Sequence, residues 1–271
     1  MLSSPSSGFR LVAAAAMAAP LAFLPVGSAQ AADDAEVSVL HAIPDVTVDV
    51  YVNGDLTLDD FKPGDLAGPL DLPADTYSVE ITDSKDKKTV LLGPADVTVQ
   101  AGGNYTIVAY LDAKGKPTVK PFENDISTVA AGQARVTVRH TAAAPAVDVN
   151  ADGTALVTNL TNGEEAVADV PTGGYKVDIV PAAGGKAVWS DNVELAEGVN
   201  TIAYAWGSLE DGTFDVAVQT IDGLHSAPGA VDAGEVGLAD QSSTSPWLVA
   251  ALVGSLVIGS AAAVRLVRAR G

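Results

Sequence analysis

The chain has 271 residues, 34 acidic against 15 basic side chains and a formal net charge of −19. This excess of negative charge disfavours nucleic-acid binding, because such binding needs a cationic surface that displaces the counterions of the phosphates. The sequence contains no cysteine, which excludes disulfides, thiolate metal ligands, a cysteine nucleophile and N-terminal lipoprotein attachment.

Residues 1–31 resemble a secretory signal peptide. Arg10 ends a short polar start, an apolar run follows from 11 to 26, and Ala29-Gln30-Ala31 has the small-x-small pattern that signal peptidase recognises. Two prolines and a glycine interrupt the apolar run before it spans a membrane well. We therefore expect cleavage at or near Ala31 and export of the rest of the chain.

Residues 36–127 are predicted to form a first β domain. Short runs alternate branched apolar and polar residues, the period of a half-buried strand, and recur every eight to twelve residues without a helical period. Asn53-Gly54 predicts a type I′ hairpin, because that turn needs positive φ at both central positions, and residues 59–69, rich in Asp, Gly and Pro, predict a loop. The seven predicted strands are 37–40, 46–52, 77–81, 89–92, 96–99, 105–110 and 117–122. Their spacing indicates an antiparallel β-sandwich.

Residues 134–222 are predicted to form a second domain that repeats the first. The repeated positions are a histidine ending the first strand, an aspartate in the second, the glycine of the hairpin, and a tyrosine four residues after a proline. They recur at an offset of 98 or 99, as His41 and His140, Asp49 and Asp148, Gly54 and Gly153, and Tyr77 and Tyr175. Farther on, Thr106 aligns with Thr201 at an offset of 95. We expect two tandem sandwiches set end to end, joined by the short linker 127–133.

The last part of the chain is predicted to anchor it. Residues 223–246 are rich in Gly, Ala, Ser, Asp and Pro without periodicity, as in a flexible stalk. Residues 247–264 are uncharged and would measure ~27 Å as a transmembrane helix, about the thickness of a bilayer core. Arginines in the tail 265–271 place that end in the cytoplasm by the positive-inside rule. The expected protein is a single-pass cell-membrane protein with both domains outside.

A hydrophobic tail followed by basic residues also resembles a sortase sorting signal. The Leu-Pro-x-Thr-Gly motif that such a signal needs is absent upstream of Trp247. The spanning helix is therefore the favoured interpretation.

His41 and His140 are the residues that most resemble a reactive site, since each is followed eight residues later by an aspartate. One interpretation is a metal ligand or an acid–base pair in each domain. The favoured interpretation is structural, with the imidazole holding a turn, because one histidine and one carboxylate are too few for a structural zinc site. No third ligand recurs at a matching offset. We predict no catalytic residue, no metal site and no cofactor.

The aromatic residues allow two interpretations. Tyr77 and Tyr175 predict a tyrosine corner, in which the hydroxyl ties a loop to the sandwich. Trp189 and Trp206, present only in the second domain, could form an exposed platform for sugars, but core filling is favoured because a tryptophan buries a large area. The chain also lacks the ordered acidic loop of an EF-hand and the nucleotide-binding and hydrolase motifs.

The sequence resembles a family of bacterial domains. The residues that carry the resemblance are His41-Ala42-Ile43-Pro44, Val48-Asp49-Val50, Gly54, Leu72 to Tyr77 and Gly103 to Ile107. This pattern resembles the bacterial domain of unknown function 4397. The resemblance implies exported, often tandem, immunoglobulin-like sandwiches and supplies no catalytic residue. The second copy is similar but looser, with Ala142-Ala143-Ala144-Pro145 in place of the tighter turn, and both copies together cover about 36–222.

These observations lead to one predicted function and one alternative. The predicted function is a non-enzymatic, membrane-anchored cell-surface module for envelope interaction, adhesion or scaffolding, whose partner is an envelope protein or glycan. The alternative is an extracellular receptor or sensor domain that binds carbohydrate or a cation through Trp189, Trp206 or the acidic loops. An extracellular hydrolase would need a clustered acid–base pair, which the sequence does not indicate.

Overall fold

The computed structural model describes residues 34–226, and every regular element in this range is a β-strand. The all-β class predicted from the sequence is therefore confirmed for these residues. No helix within them is long and apolar enough to cross a membrane. The predicted signal peptide 1–31, the stalk beyond Ser226, the predicted transmembrane helix 247–264 and the tail 265–271 lie outside the described residues.

Sixteen strands form four sheets of four strands each. The first half contains β1 (Ala35–Ala42), β2 (Val48–Val52), β3 (Asp55–Phe61), β4 (Leu66–Leu72), β5 (Asp75–Asp83), β6 (Asp86–Val99), β7 (Asn104–Leu111) and β8 (Pro117–Glu123). The second half contains β9 (Gln133–His140), β10 (Val147–Ala151), β11 (Thr154–Leu160), β12 (Glu165–Pro171), β13 (Gly173–Pro181), β14 (Trp189–Leu195), β15 (Asn200–Trp206) and β16 (Asp215–Ile221).

Each half is a sandwich of one outer and one inner sheet. In the first half the outer sheet has the order β3-β2-β5-β6 and the inner sheet the order β4-β1-β7-β8. In the second half the orders are β11-β10-β13-β14 and β12-β9-β15-β16. Branched apolar side chains at alternate positions fill the space between the two sheets of each half. The strand order is thus the same in both copies.

The inner sheets are not wholly antiparallel, so this part of the sequence prediction is wrong. Strand β1 pairs in parallel with β7, and β9 pairs in parallel with β15. The alternation of apolar and polar residues locates strands but does not indicate which strands pair with each other, or in which direction. All eight residues of β7 are buried, as is typical of strands covered on both faces in parallel sheets.

The predicted loop 59–69 is also wrong. Strand β3 continues to Phe61, a turn covers residues 62–65, and β4 begins at Leu66. The predicted strands 89–92 and 96–99 are likewise one strand, β6, interrupted by a bulge at Gly93. A Cβ on Gly93 would collide with the Val79 carbonyl oxygen. Glycine and proline therefore mark bulges inside strands here, not the ends of strands.

The two halves pack face to face, not end to end as the sequence analysis expected. The outward faces of the two inner sheets meet in a common apolar cluster. That cluster contains Leu40, Ala42, Val108, Tyr110 and Phe122 from the first half and Ile202 and Tyr204 from the second. The four sheets consequently form one stack, in which the central strands of both inner sheets are covered on both faces, while the edge strands β4 and β12 stay largely exposed.

A layer of buried polar groups crosses this interface around Arg139, whose side chain is 0% exposed. Its guanidinium donates hydrogen bonds to Glu165 Oε2 (2.8 Å), Asn124 Oδ1 (2.8 Å) and Tyr204 Oη (2.8 Å). The Phe122 ring centroid lies 4.7 Å from its central carbon. Because Asn124 and Phe122 belong to the first half, the buried guanidinium of the second half is stabilised partly by contacts with the first half.

The hydroxyl of Tyr204 continues the network back into the first half. It donates to Gln219 Oε1 at 2.6 Å, and the Thr106 hydroxyl donates to the same oxygen at 2.9 Å. The Gln219 amide nitrogen in turn lies 3.3 Å from Ser38 Oγ. These bonds satisfy polar groups that would otherwise be buried without partners.

Arg135 closes the interface next to the linker. Its guanidinium donates to both carboxylate oxygens of Asp169 (2.9 and 3.1 Å) and to the Ser127 carbonyl oxygen (2.9 Å), and it forms an ion pair with Asp125 at 2.9 Å. The first residues of the predicted stalk also form hydrogen bonds with the predicted linker 127–133. The Val129 amide donates to the Leu224 carbonyl oxygen at 2.7 Å, and Leu224 is buried. Residues 223–226 therefore pack against the second half.

Replacing Arg139 should destabilise the whole stack. Arg139→Ala leaves the Glu165 carboxylate and the Asn124 carbonyl without their donor, so the free energy of unfolding should fall by about 3–5 kcal/mol. Urea unfolding of the purified chain measures this loss. The exposed Lys176→Ala variant is the control and should change the value by no more than about 0.5 kcal/mol. A loss at Arg139 no larger than that of the control would contradict the role assigned to the buried charge.

Candidate functional site

The two repeated histidines are buried and bond to the backbone. The exposed fractions of His41 and His140 are 1% and 0%. Their Nε2 atoms lie 2.8 Å from the Val46 carbonyl oxygen and 2.9 Å from the Pro145 carbonyl oxygen, in each case five residues farther along the chain. Each imidazole thus joins the end of the first strand of its half to the loop that follows.

The two repeated aspartates hold bulges in the neighbouring strand. Asp49 Oδ1 accepts the amide of Asp60 at 3.1 Å, and Asp148 Oδ1 accepts the amide of Asn159 at 2.7 Å. Asp60 and Asn159 have φ angles of 52° and 54°, a left-handed conformation that is uncommon outside glycine. The hydrogen bonds of each histidine and each aspartate therefore go to separate backbone groups, not to each other.

Among residues 34–226, Asp49 has a second partner and Asp148 has none. The ammonium of Lys87 lies 3.1 Å from Asp49 Oδ2. Burial by itself raises the pKa of the Asp49 carboxyl, but the hydrogen bond from the Asp60 amide and the Lys87 charge outweigh it and hold the pKa below its usual range.

The remaining repeated positions form turns and corners. Asn53 and Gly54 have φ angles of 53° and 87°, and Asp152 and Gly153 have 49° and 76°, as a type I′ hairpin requires. The hydroxyls of the two repeated tyrosines each donate to the carbonyl oxygen of a proline four residues earlier, at 2.8 Å for Tyr77 and 2.7 Å for Tyr175.

The structure does not bring the two tryptophans together. Trp206 packs against the apolar cluster between the halves, and its ring lies beside Gly64 of the first half. Trp189 packs in the core of the second half. The two rings therefore contact different clusters. Among residues 34–226 there is also no group of three His, Cys, Asp or Glu side chains that could hold a metal ion.

The alignment of the two copies shifts by one residue at β7 and β15. Asn104 pairs with Glu36, and Asn200 pairs with Arg135, at the start of each parallel ladder. Glu36 and Arg135 are 99 apart and the two asparagines are 96 apart, so the sequence offset of 95 is wrong. A one-residue shift matters because it moves every side chain of the strand to the opposite face.

With the corrected register, the second half has smaller core side chains than the first. Tyr105 and Ile107 fill the first core, and their counterparts are Thr201 and Ala203. An apolar cavity of about 60 Å³ follows from this lost volume, compared with about 10 Å³ in the first core. Its lining includes Val138, Val177, Ile179, Trp189 and Val216 in addition to the two small residues.

The edge of the second sandwich leaves this cavity partly open. In the first half the long strand β6 packs against β8 and closes the corresponding edge. Strand β14, its counterpart, begins only at Trp189, and β14 and β16 make almost no contact. Val218 on β16 lines the cavity and is 53% exposed.

The first half carries a polar crevice instead, on the free face of its outer sheet. Tyr51, Ser78, Glu80, Thr82 and Lys87 line it. The Thr82 hydroxyl is buried and has no hydrogen-bond partner among the described residues. The crevice therefore combines a ring face, a cation, a carboxylate and hydroxyls.

The second half does not repeat this polar crevice. Thr82 pairs with Asp49 across the strands, and Val180 pairs with Asp148 at the matching position. Asn150 likewise replaces Tyr51. The two halves therefore present different chemistry from the same fold, one polar on its outer face and one apolar between its sheets.

Mildly acidic solution should weaken the fold through the two buried histidines. Burial lowers the pKa of both His41 and His140 below 6.5, although their carbonyl partners oppose the shift. The unfolded chain then binds protons that the folded chain excludes. Their contribution to the free energy of unfolding is complete above pH 6.5 and is lost as the pH falls from there through the folded-state pKa values.

Urea unfolding at about pH 7.5 and about pH 5.5 measures this loss. A variant with both His41→Gln and His140→Gln, although less stable overall, should lose less than the parent between the two values. Equal losses in variant and parent would assign the acid sensitivity to other groups.

Comparison with known proteins gives a family match and matches to solved structures. Among curated proteins, none matches this sequence significantly. The CBMbc domain (family CBM26) of Amy13K from Eubacterium rectale, solved in complex with maltoheptaose, is 12% identical with a TM-score of 0.21, and the match covers 72% of this chain and 98% of that one. This TM-score is too low to support an argument about function.

The family match covers residues 35–150 and has the description "Domain of unknown function (DUF4397)". It spans the first half and the first two strands of the second, including the repeated positions His41, Asp49, His140 and Asp148. The resemblance noted in the sequence is thereby confirmed over residues 35–150, which match the model of the DUF4397 family.

Proposed function

We propose that the chain is a non-enzymatic cell-surface module, exported and held by a C-terminal membrane anchor, that presents two immunoglobulin-like sandwiches as one rigid body to an envelope protein or glycan. The observation that best supports this proposal is the buried polar layer around Arg139, which couples the two halves. A coupled pair displays its two outer sheets in a fixed relation, as adhesion or scaffolding requires.

The outer sheets are the surfaces most suited to a partner. In the edge strands β3 and β11 of the outer sheets only Phe61 and Leu160 are buried, whereas the central strands of the inner sheets are covered on both faces. The acidic composition keeps such a surface soluble. Export and anchoring are supported by the signal-peptide pattern at 1–31 and the uncharged segment 247–264.

Protease treatment of intact cells tests the proposed topology. Trypsin added outside should digest the sandwiches after mild heating, at sites up to Lys186, the last Lys or Arg before Arg265, while an epitope fused behind Gly271 should stay protected until the membrane is opened. Lys and Arg sites in the first half, such as Lys87 and Lys88, are exposed enough to be cleaved. A cytoplasmic protein serves as the control for leakage. Protection of both sandwiches together with cleavage of the epitope would reverse the proposed orientation.

A second candidate function is the binding of a neutral carbohydrate in the polar crevice of the first half. Sugars bind where an aromatic face stands beside donors and acceptors of hydrogen bonds, and Tyr51, Glu80 and Lys87 supply these three. The unpartnered Thr82 hydroxyl favours this function, because a buried polar group without a partner is costly unless a ligand or water satisfies it.

Paired substitutions at Tyr51 and its counterpart test this second candidate. Tyr51→Ala should weaken binding to an oligosaccharide identified on a glycan array by about tenfold, equivalent to about 1.4 kcal/mol. Asn150→Ala, at the matching position of the second half, is the control and should leave the affinity unchanged. Titration calorimetry measures both affinities. An equal loss in the two variants, or no oligosaccharide bound by the parent, would exclude the crevice as a sugar site.

A further inference from the structure

We propose that the cavity of the second half binds the end of an alkyl chain of a membrane lipid. The chain would enter between β14 and β16 and place its last carbons between the inner and outer sheets. The cavity geometry supports the binding itself. The choice of a membrane lipid as the source rests on the proposed function, because it requires the anchor.

The lining of the cavity fits an occupant without polar atoms. Apart from Thr201 and the Tyr175 hydroxyl, which is already bonded to the Pro171 carbonyl oxygen, the lining side chains are aliphatic or the Trp189 ring. A water molecule needs about 10–15 Å³ by the same measure and two or more polar partners. The cavity of about 60 Å³ has the volume but not the partners. Such a space favours hydrocarbon over water.

The opening is where an alkyl chain could enter. Val193 on β14 and Val218 on β16 lie at the edge where the two sheets separate, and Val218 is 53% exposed. The matching edge of the first half is closed by β6 and β8. The cavity therefore reaches an apolar, partly exposed edge of the second half.

Comparison of the halves shows that the fold does not require the cavity. The same strand order with Tyr105 and Ile107 gives a filled first core. In the second half Thr201 and Ala203 occupy these positions and the closing strand segment is missing. Two separate changes, one in the core and one at the edge, thus open the same space.

The chain length beyond the described residues makes a membrane lipid the natural source. The second half carries the end of the described chain at Ser226, and residues 227–246 separate it from the predicted membrane segment. Twenty residues reach at most ~66–72 Å when fully extended. A second half tethered at that distance stays close to the bilayer surface and to its lipids.

Trp189 is a reporter already placed in the cavity wall. The chain has three tryptophans, so the variant with Trp206→Phe and Trp247→Phe leaves Trp189 as the only one. This full-length chain is incorporated into nanodiscs whose phospholipids carry bromine near the ends of their acyl chains. Bromine quenches tryptophan only at contact distance, and bromines at the bilayer centre do not reach a domain outside the membrane.

We expect Trp189 fluorescence to fall by at least half in brominated nanodiscs relative to unbrominated ones. Ala203→Ile restores the bulk that Ile107 provides in the first half and should abolish the quenching while raising the melting temperature. Ala151→Val, which also narrows the cavity, is the second variant should the first not fold. Ala113→Ile, in an exposed turn of the first half, is the matched control and should leave the quenching unchanged.

Each other outcome overturns a defined part of the proposal. Quenching that persists in both cavity variants would show that the lipid lies elsewhere. A second arm adds a brominated free fatty acid to unbrominated nanodiscs, and quenching in this arm alone would exclude membrane lipid as the source. No quenching in either arm would overturn the site itself. Failure of the chain to float with the nanodiscs would overturn the proposed anchoring, and the fatty-acid arm would still decide whether the cavity binds an alkyl chain.

Discussion

The buried charge of Arg139 is the constraint on which the arrangement of the two halves depends. A guanidinium that is 0% exposed costs several kcal/mol unless its donors are paired. Its donors are satisfied by Glu165 and Tyr204 of the second half together with Asn124 and the Glu123 carbonyl oxygen of the first. Sliding one sheet over the other would keep the apolar contact but break these bonds. The polar layer therefore fixes one relative position, whereas the apolar cluster alone would allow several.

Covering the central strands of the inner sheets on both faces explains features that a single sandwich would not show. Strand β7 carries no exposed residue, and its run from Asn104 to Leu111 lacks the alternation of a half-buried strand. In the outer sheets the alternation returns. Val48 and Val50 point toward the core, whereas Asp49 points to the other face, where it bonds to the backbone amide of Asp60 and to Lys87. The surfaces left for partners are therefore the outer sheets and the sheet edges.

Local chemistry was predictable from the sequence, and pairing between distant strands was not. Asn53-Gly54 and the Tyr77 and Tyr175 positions depend on neighbours within a few residues, so their turns and corners follow from the sequence. The parallel pairing of β1 with β7 joins residues about 70 positions apart in the sequence. The alternation of side chains along each strand does not indicate which distant strand is its partner. Matching the threonines instead of Asn104 and Asn200 produced the wrong offset, because letter identity cannot distinguish the two faces of a strand. Arg135 and Arg139 alternate with valine and threonine, a pattern that favours solvent exposure, and it is the packing of the first half against the second that buries them.

The loose second core and the tight interface are linked through the same strand. A cavity of 60 Å³ costs about 1–2 kcal/mol in lost packing, a considerable fraction of the stability of an ordinary domain. Strand β15 has Ala203 on the cavity side, but on its other side Ile202 and Tyr204 are fully buried against the first half. Packing on that face holds β15 in place independently of what fills the cavity. The second half can therefore keep an open apolar space, because the contacts of its Tyr204 and Arg139 with the first half supply the stability that the core of the second half lacks.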